Sequence, residues 1–334
     1  IIMTSDGIEH MSTFPESLVI VGAGVIGCEY ATIFSSFGHT KVYLIDKGAR
    51  ILPFEDKDVV DIIQQNMENN GVVIHHQSKL ADMKIVDGHV EYTIQYDDGT
   101  SETLSVAKAL VSVGRTPNLD NLIPSELGLM MHQRGVENLS TQTNIPNIYA
   151  VGDLTSDISL VNIGELEGRH AVEKIFGRPS RQLVYDNISN IMFLNPEVAS
   201  VGINELQAQA AGLDYRVATL DYATIPRAIA KRNTQGFIKL ITRDDQQMQI
   251  LGMKVVGNHA SSAIQAVALL ISMGKGIEEL AECVHPHPSI IEGVQECVRM
   301  LMGKSLLKPM ALSNSLTCKK WINGKYINMQ DISE

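Results

Sequence analysis

Two clusters of residues in this 334-residue chain have the types and spacing to do chemistry. The first is Gly22-Ala23-Gly24-Val25-Ile26-Gly27, set between the apolar run Leu18-Val19-Ile20-Val21 and a segment of helical character. A second apolar run, Lys41-Val42-Tyr43-Leu44-Ile45, ends on Asp46. Strand, glycine turn, helix, strand and terminal carboxylate are the parts of a βαβ unit that holds a dinucleotide. Gly22 permits the tight turn, Gly24 lets backbone N–H groups approach a pyrophosphate, and Gly27 lets the helix pack close to the strand. The helix N-terminus then offers unpaired N–H donors to the phosphate charge. Asp46 is placed to accept hydrogen bonds from both ribose hydroxyls of an adenosine and would repel a 2′-phosphate. NAD is therefore expected rather than NADP, with Lys47 softening that preference.

The second cluster is His285-Pro286-His287-Pro288-Ser289-Ile290-Ile291-Glu292. Two prolines restrict the loop and suit it to presenting an imidazole, the side chain that gives and takes a proton near neutral pH. A carboxylate close by fixes the tautomer of such an imidazole, and Glu292 could do this for His287. Two other readings stand beside catalysis. Ser289-x-x-Glu292 also fits a capping box, in which Glu292 merely bonds back to the Ser289 N–H. The histidines could instead chelate a metal, although no third ligand has suitable local spacing.

The elements around these clusters follow from periodicity. Asp56 is positioned to cap a helix through Val59, Ile62, Ile63 and Met67 that ends near Gly71. Val72-Val73-Ile74 reads as the next strand. Residues 89–96 then alternate, Asp97-Asp98-Gly99 turns, and 101–106 returns, predicting an antiparallel hairpin inserted in a parallel sheet. Residues 107–113 are apolar and end on the loop Gly114-Arg115-Thr116-Pro117-Asn118. Ile148-Tyr149-Ala150-Val151 reads as a buried strand ended by Gly152-Asp153, followed by a helix from about 160 to 176. Beyond about 181, extended runs at 191–194, 215–220, 236–242 and 248–256 mix with helical runs at 259–273, 277–283 and 289–302. Strands and helices without βα alternation predict a separate α+β domain. The tail after Gly303 reads as polar, with Trp321 its only large anchor.

Composition narrows the function. A chain of 334 residues predicts two or three domains, and 44% hydrophobic residues suffice for ordinary cores. A formal net charge of −11 argues against nucleic acid or an anionic membrane as partner. The longest apolar runs are far short of a bilayer span, and no signal peptide is evident. The four cysteines, at 28, 283, 297 and 318, form no C-x-x-C or C-x4-C pair. A reducing, cytoplasmic setting is expected from that pattern. Cys28, directly after Gly27, reads as a small packing residue rather than a nucleophile.

In their order along the chain, the glycine turn, Gly114-Arg115-Thr116-Pro117-Asn118, Ile148-Tyr149-Ala150-Val151-Gly152-Asp153 and His285-Pro286-His287-Pro288 with Glu292 resemble the FAD-dependent pyridine nucleotide–disulfide oxidoreductases. The resemblance covers about residues 1–305 and is nearest to dihydrolipoamide dehydrogenase. It implies an α/β fold in five stretches: 1–14 ending a first FAD-domain segment, 15–116 a Rossmann-like NAD domain, 117–180 a second FAD-domain segment, 181–305 a dimerisation domain, and 306–334 a tail. It further implies that Gly22, Gly24 and Gly27 hold the NAD pyrophosphate and Asp46 the adenosine ribose. Glu29 would approach the nicotinamide end, Val25 the flavin–nicotinamide contact, Leu80 the adenine side and Gly114 the nicotinamide half. Asp153 would bond the ribityl chain of FAD, and Ser159, Leu160, Val161 and Asn162 would start a helix whose N-terminus faces the flavin. His287 would be the proton acceptor, Glu292 its partner, and the site would need a homodimer.

The family's own FAD fingerprint and its Cys-x4-Cys redox pair have no counterpart in these residues. The opening Ile1-Ile2-Met3 predicts that residue 1 is not a natural start and that the chain corresponds to the C-terminal two-thirds of such an enzyme. Poor or absent FAD binding and no lipoamide turnover by the chain alone are the resulting expectations. The intact protein is expected to move electrons between NAD(H), FAD and a small-molecule or lipoyl-type dithiol. A soluble pyridine nucleotide transhydrogenase and a mercuric reductase-like flavoprotein remain alternatives. Pro226-Arg227-Ala228 with Gly236-Phe237-Ile238-Lys239-Leu240 looks like mercuric reductase or dihydrolipoamide dehydrogenase. A non-catalytic NAD-binding dimerisation module is the third.

Overall fold

The computed structural model describes residues 1–119, 127–132, 135–155, 158–178, 182–307 and 311–329. The chain divides into two compact units, residues 1–113 with 189–334, and residues 114–188. The boundary expected at 180/181 lies outside the described residues.

The first unit opens with β1 (Ile2–Met3), β2 (Ser17–Val21), α1 (Val25–Ser36), β3 (Lys41–Ile45), α2 (Lys57–Asn69) and β4 (Val73–His75). It continues through β5 (Ser78–Val86), β6 (His89–Tyr96), β7 (Ser101–Val106) and β8 (Lys108–Val111). One sheet has the parallel order β1-β8-β2-β3-β4. Its central strand carries Leu18, Val19 and Ile20 fully buried, the near-continuous apolar run that a strand covered on both faces requires. α2 buries Val59, Ile63 and Met67 as the spacing predicts, but Ile62 is only half-buried and Val60 is buried in addition. The expected hairpin is β6–β7, and β5 adds a third antiparallel strand. β5 escapes the pattern because its register shifts between Leu80 and Asp82, and a bulge breaks the period of two.

The second unit carries β9 (Met131–His132), β10 (Gly135–Val136) and α3 (Val161–Ile175). The strand expected at 148–151 does not form. Tyr149 makes only an isolated bridge to Gln142, and Ser140 and Thr141 beside it take left-handed φ values of 47° and 74° that interrupt any ladder.

The first unit resumes with β11 (Ser189–Met192), β12 (Val198–Gly202), α4 (Glu205–Ala210), β13 (Tyr215–Asp221), α5 (Pro226–Ala230), β14 (Phe237–Arg243) and β15 (Ile250–Val256). Then come α6 (Ala260–Ala263), α7 (Gln265–Ser272), α8 (Glu278–Ala281), α9 (Glu292–Leu301), β16 (Leu316–Ile322) and β17 (Lys325–Asn328). Seven strands form an antiparallel sheet, β11-β12-β15-β14-β13-β16-β17. Residues 316–328 correct the expectation of a polar tail. β16 pairs along β13, buries Leu316 and Cys318, and sets Trp321 against Tyr215 with ring centroids 6.2 Å apart. Met192, Leu194, Val198, Phe237 and Val256 from this sheet join the core cluster of Leu18, Ile20, Phe34 and Leu110. The parallel and antiparallel sheets of the first unit therefore share buried apolar surface.

Candidate functional site

The glycine turn is built from backbone contacts that tolerate no substitute at two positions. Gly22 has φ +101°, its N–H donates to Ile45 O at 2.9 Å, and a Cβ there would lie 2.7 Å from Ser112 O. A Cβ on Gly27 would stand 1.9 Å from Gly22 O, so only glycine lets α1 approach the turn. Gly24 differs: a Cβ on it would meet nothing within 4 Å. It is the N-cap of α1, and the Cys28 N–H makes a 3.0 Å bond to its carbonyl. The N–H groups of Val25, Ile26 and Gly27 therefore belong to the first turn, which has no intrahelical acceptors. Open space above Gly24 and donors at the helix start fit a pyrophosphate.

Asp46 follows β3, and both its oxygens already work within the fold. Oδ2 accepts the Ala23 N–H at 2.7 Å and Oδ1 the Gly48 N–H at 2.6 Å. A carboxylate has about four lone-pair sites, so two remain for hydroxyl donors. The residue is half-buried at the carboxyl end of its strand, where such sheets take their ligands. Turn and carboxylate together fit an NAD adenosine diphosphate.

The other expected residues of the first unit fall nearby in the fold. Val25 and Glu29 share one face of α1, four residues apart. The Glu29 carboxylate accepts the Phe193 N–H at 2.9 Å, a tie to the loop after β11 that local sequence could not reveal. Leu80 is half-buried in β5 against the core containing Tyr92 and Ile94. Cys28 is fully buried in α1, and burial, then the charges of Asp46 and Glu29, push its thiol well above the ordinary range. Burial likewise raises Cys297, and lifts Cys318 to about 12. Cys283 is the exposed cysteine.

In the second unit Gly114 has φ +139°. Asp153 is exposed on a 3-10 turn, Gly152–Leu154. Helix α3 begins at Val161 with Leu160 as N-cap, so Ser159 precedes the helix rather than opening it. Val161 is 84% exposed, and Ser159 and Asn162 are also exposed, leaving this helix start accessible. Asp153 and that helix start fit the ribityl and pyrimidine parts of a flavin. The G-x-G-x-x-G turn at Gly22–Gly27 is the turn that suits NAD.

His287 stands on the loop before α9. Its Nδ1 lies 2.7 Å from Glu292 Oε1, and Glu292 Oε2 accepts the Ser289 N–H at 2.8 Å. The two sequence readings of Glu292 are therefore both realised by one carboxylate, an oxygen for each. The capping box is half made, because the buried Ser289 hydroxyl has no partner and Ile291 is the N-cap. Burial alone would raise the Glu292 carboxyl, but the Ser289 N–H and then His287 outweigh it and hold it below the usual carboxylate value. An ionised carboxylate only accepts, so the imidazole proton is assigned to Nδ1 and the Nε2 lone pair faces away. The imidazole is 71% exposed, open to a reacting group. His285 turns elsewhere, its Nδ1 3.1 Å from Cys283 O. Among the described residues no cluster of three His, Cys, Asp or Glu side chains could hold a metal ion. None of their helices is long and apolar enough to cross a membrane.

Two polar groups of this architecture were missed. Glu167 sits on the buried stripe of α3 with Ile163, His170 and Ala171, and an acid on an apolar stripe was the signal that could have found it. Lys239 is buried in β14, where its neighbours Ile238 and Leu240 gave it the appearance of a surface residue between core positions.

Comparison with known proteins places the chain among relatives of one kind. Residues 2–168 match the pyridine nucleotide-disulphide oxidoreductase family, and residues 188–298 match that family's dimerisation domain. A dihydrolipoyl dehydrogenase of Bacillus subtilis is 33% identical over 309 residues, covering 91% of this chain and 65% of the relative. Another from Geobacillus stearothermophilus is 34% identical over 90% of this chain and 64% of its own length. The chain thus spans about 65% of the length of these curated relatives. Among solved structures, LpdA from Mycobacterium tuberculosis superposes with a TM-score of 0.82 at 25% identity, covering 90% of this chain and 64% of that one. The HOCl-induced flavoprotein disulfide reductase RclA from Escherichia coli gives 0.80 at 26%, covering 90% and 68%.

Proposed function

Since the chain belongs to the pyridine nucleotide-disulphide oxidoreductase family, we propose that it is the NAD-binding and proton-accepting part of a dihydrolipoamide dehydrogenase-like flavoprotein acting on a lipoyl-type dithiol. The observation that carries this reading is the 2.7 Å contact between His287 Nδ1 and Glu292 Oε1. A base held in one tautomer by an ionised carboxylate, with its other nitrogen exposed, suits removal of a proton from a thiol. Gly22, Gly24 and Gly27 with Asp46 would bind NAD(H), while Val25, Glu29, Leu80 and Gly114 would line its course. Asp153 and the start of α3 at Ser159, Leu160, Val161 and Asn162 would hold the flavin end. A bound flavin supplies the two-electron exchange between nicotinamide and disulfide. His287 Nε2 would take the thiol proton, leaving the thiolate to react, and Glu292 would stabilise the imidazolium so formed. The match of 188–298 to a dimerisation domain supports a homodimer as the working form.

We also propose that these 334 residues alone do not turn over lipoamide, because three of their four cysteines are buried and none is spaced as a redox pair. The second reading is a transhydrogenase, in which hydride passes between nicotinamides without any thiol; a Cys-x4-Cys pair in the full-length protein decides against it. The test is His287→Gln in the flavin-loaded full-length protein. Loss of about 10²-fold or more in the dithiol half-reaction, with flavin reduction by NADH preserved, is expected. Equal effects on both half-reactions overturn the assignment of His287, and NADH-to-NAD-analogue exchange without any dithiol turnover favours the transhydrogenase.

A further inference from the structure

Glu167 is 1% exposed. A carboxylate so placed is costly unless its oxygens are used. Oε2 accepts the Gly152 N–H at 2.7 Å, and Oε1 accepts the Tyr185 hydroxyl at 2.8 Å. Gly152 is held on its other side as well. Its carbonyl accepts both the Thr155 N–H and the Thr155 hydroxyl at 2.9 Å. Its φ is +65°, and it lies flush on α3, where a Cβ on Gly164 would come 3.4 Å from its Cα. Peptide planarity carries this fixation one residue on, to the backbone of Asp153. The Asp153 side chain is exposed on the turn, free of the packing that orders its mount.

We infer that Glu167 is a positioning residue: through the Gly152 N–H it holds the Gly152–Asp153 turn so that the Asp153 carboxylate is presented in one place to a polyhydroxyl ligand chain, the ribityl of a flavin. The inference rests on the flavoprotein reading above. A leucine on the α3 stripe would pack at least as well as Glu167, but it would leave the Gly152 N–H without its acceptor. The charge-assisted bond is stronger than a neutral one and has a fixed direction, which is what a support behind a binding group needs. Tyr185 anchors the second oxygen, so the carboxylate cannot rotate away from Gly152.

The test uses the full-length protein and two measurements, hydrogen exchange at the Gly152 amide and FAD titration by fluorescence. Glu167→Ala is expected to speed exchange at Gly152 by about tenfold or more, and to weaken FAD binding by a similar factor. Glu167→Gln, which keeps an acceptor oxygen, should recover most of both. Asp153→Asn should weaken FAD binding without changing Gly152 exchange. The double variant Asp153→Asn with Glu167→Ala should bind FAD no more weakly than Asp153→Asn alone, since one residue acts through the other. Unchanged exchange in Glu167→Ala overturns the inference, and so do additive losses in the double variant, which mark a general structural role. No FAD binding by the full-length parent, or full binding by its Asp153→Asn variant, overturns the flavin reading and the inference with it, whatever Gly152 exchange does.

Discussion

Lys239 and Asp56 are 183 residues apart in sequence, yet Lys239 Nζ lies 3.1 Å from Asp56 Oδ2, with both side chains buried. The same ammonium meets Asp58 at 2.6 Å and Glu205 at 2.7 Å. Burial alone would lower the Lys239 pKa, but Asp58, Glu205 and Asp56 outweigh it and hold the ammonium charged. Asp56 is the N-cap residue of α2, where a capping side chain was expected. Its carboxylate instead accepts the N–H groups of Glu205 and Leu206 at the start of α4. Beside it, Lys254 and Glu55 form a second buried pair at 2.5 Å. These charges tie the loop before α2 to the antiparallel sheet.

Lys239→Ala leaves buried carboxylates without their cation. A loss of about 3–5 kcal/mol is expected in urea unfolding. Tyr326→Phe removes a phenol from a partly exposed ring, with its 2.7 Å bond to Glu205 and its 3.1 Å bonds with Gln209 and Tyr215, and should cost about 1–2 kcal/mol. Equal losses for the two variants would contradict this account of the network.

The glycine turn separates folding from binding. Gly27→Ala drives a methyl into Gly22 O and should destabilise the protein by about 1–3 kcal/mol, by thermal melting. Gly24→Ala points into open space and should leave the melting temperature almost unchanged. It should nonetheless weaken NADH binding about tenfold or more in calorimetry, because the methyl occupies the phosphate cradle. Unaltered NADH affinity in Gly24→Ala would move the dinucleotide elsewhere.

Asp46 is expected to make the chain prefer NADH to NADPH. Asp46→Ser removes the charge that opposes a 2′-phosphate, along with acceptors for Ala23 and Gly48. NADH affinity should fall, and the ratio of the two affinities should move toward one. A parent chain that binds NADPH more tightly than NADH would refute the role of Asp46.

The Glu292 carboxyl is held below its ordinary value of 4.5, so its contribution to stability has a definite sign. It is fully present above the unfolded pKa and is lost as pH falls through the lower folded pKa. Stability of Glu292→Gln should therefore lie below that of the parent above about pH 4.5, and the two curves should converge in acid. Parallel curves from pH 3 to 7, measured by chemical unfolding, would show that Ser289 and His287 do not bias this group.

What the sequence determined by itself is local. The turn at Gly22–Gly27 with Asp46, the buried stripe of α2, and the placing of His287 five residues before Glu292 all depend on spacings within one element or one βαβ unit. Such spacings read directly as periodicity, and the structure keeps them. Even there, the sequence left Glu292 divided between capping Ser289 and orienting His287, because a spacing does not say which oxygen goes where. Tertiary structure decided the rest. The bulge at Leu80–Asp82 hid β5, and residues 316–328 became strands only because β13 offers them an open edge. Glu29 found the Phe193 N–H, Glu167 found Gly152, and Lys239 found Asp56, each across a gap in sequence that carries no period. A buried charge requires a partner, but the chain alone does not say where that partner is. Only packing brings the two together, and so the supports behind the site were the part that sequence could not supply.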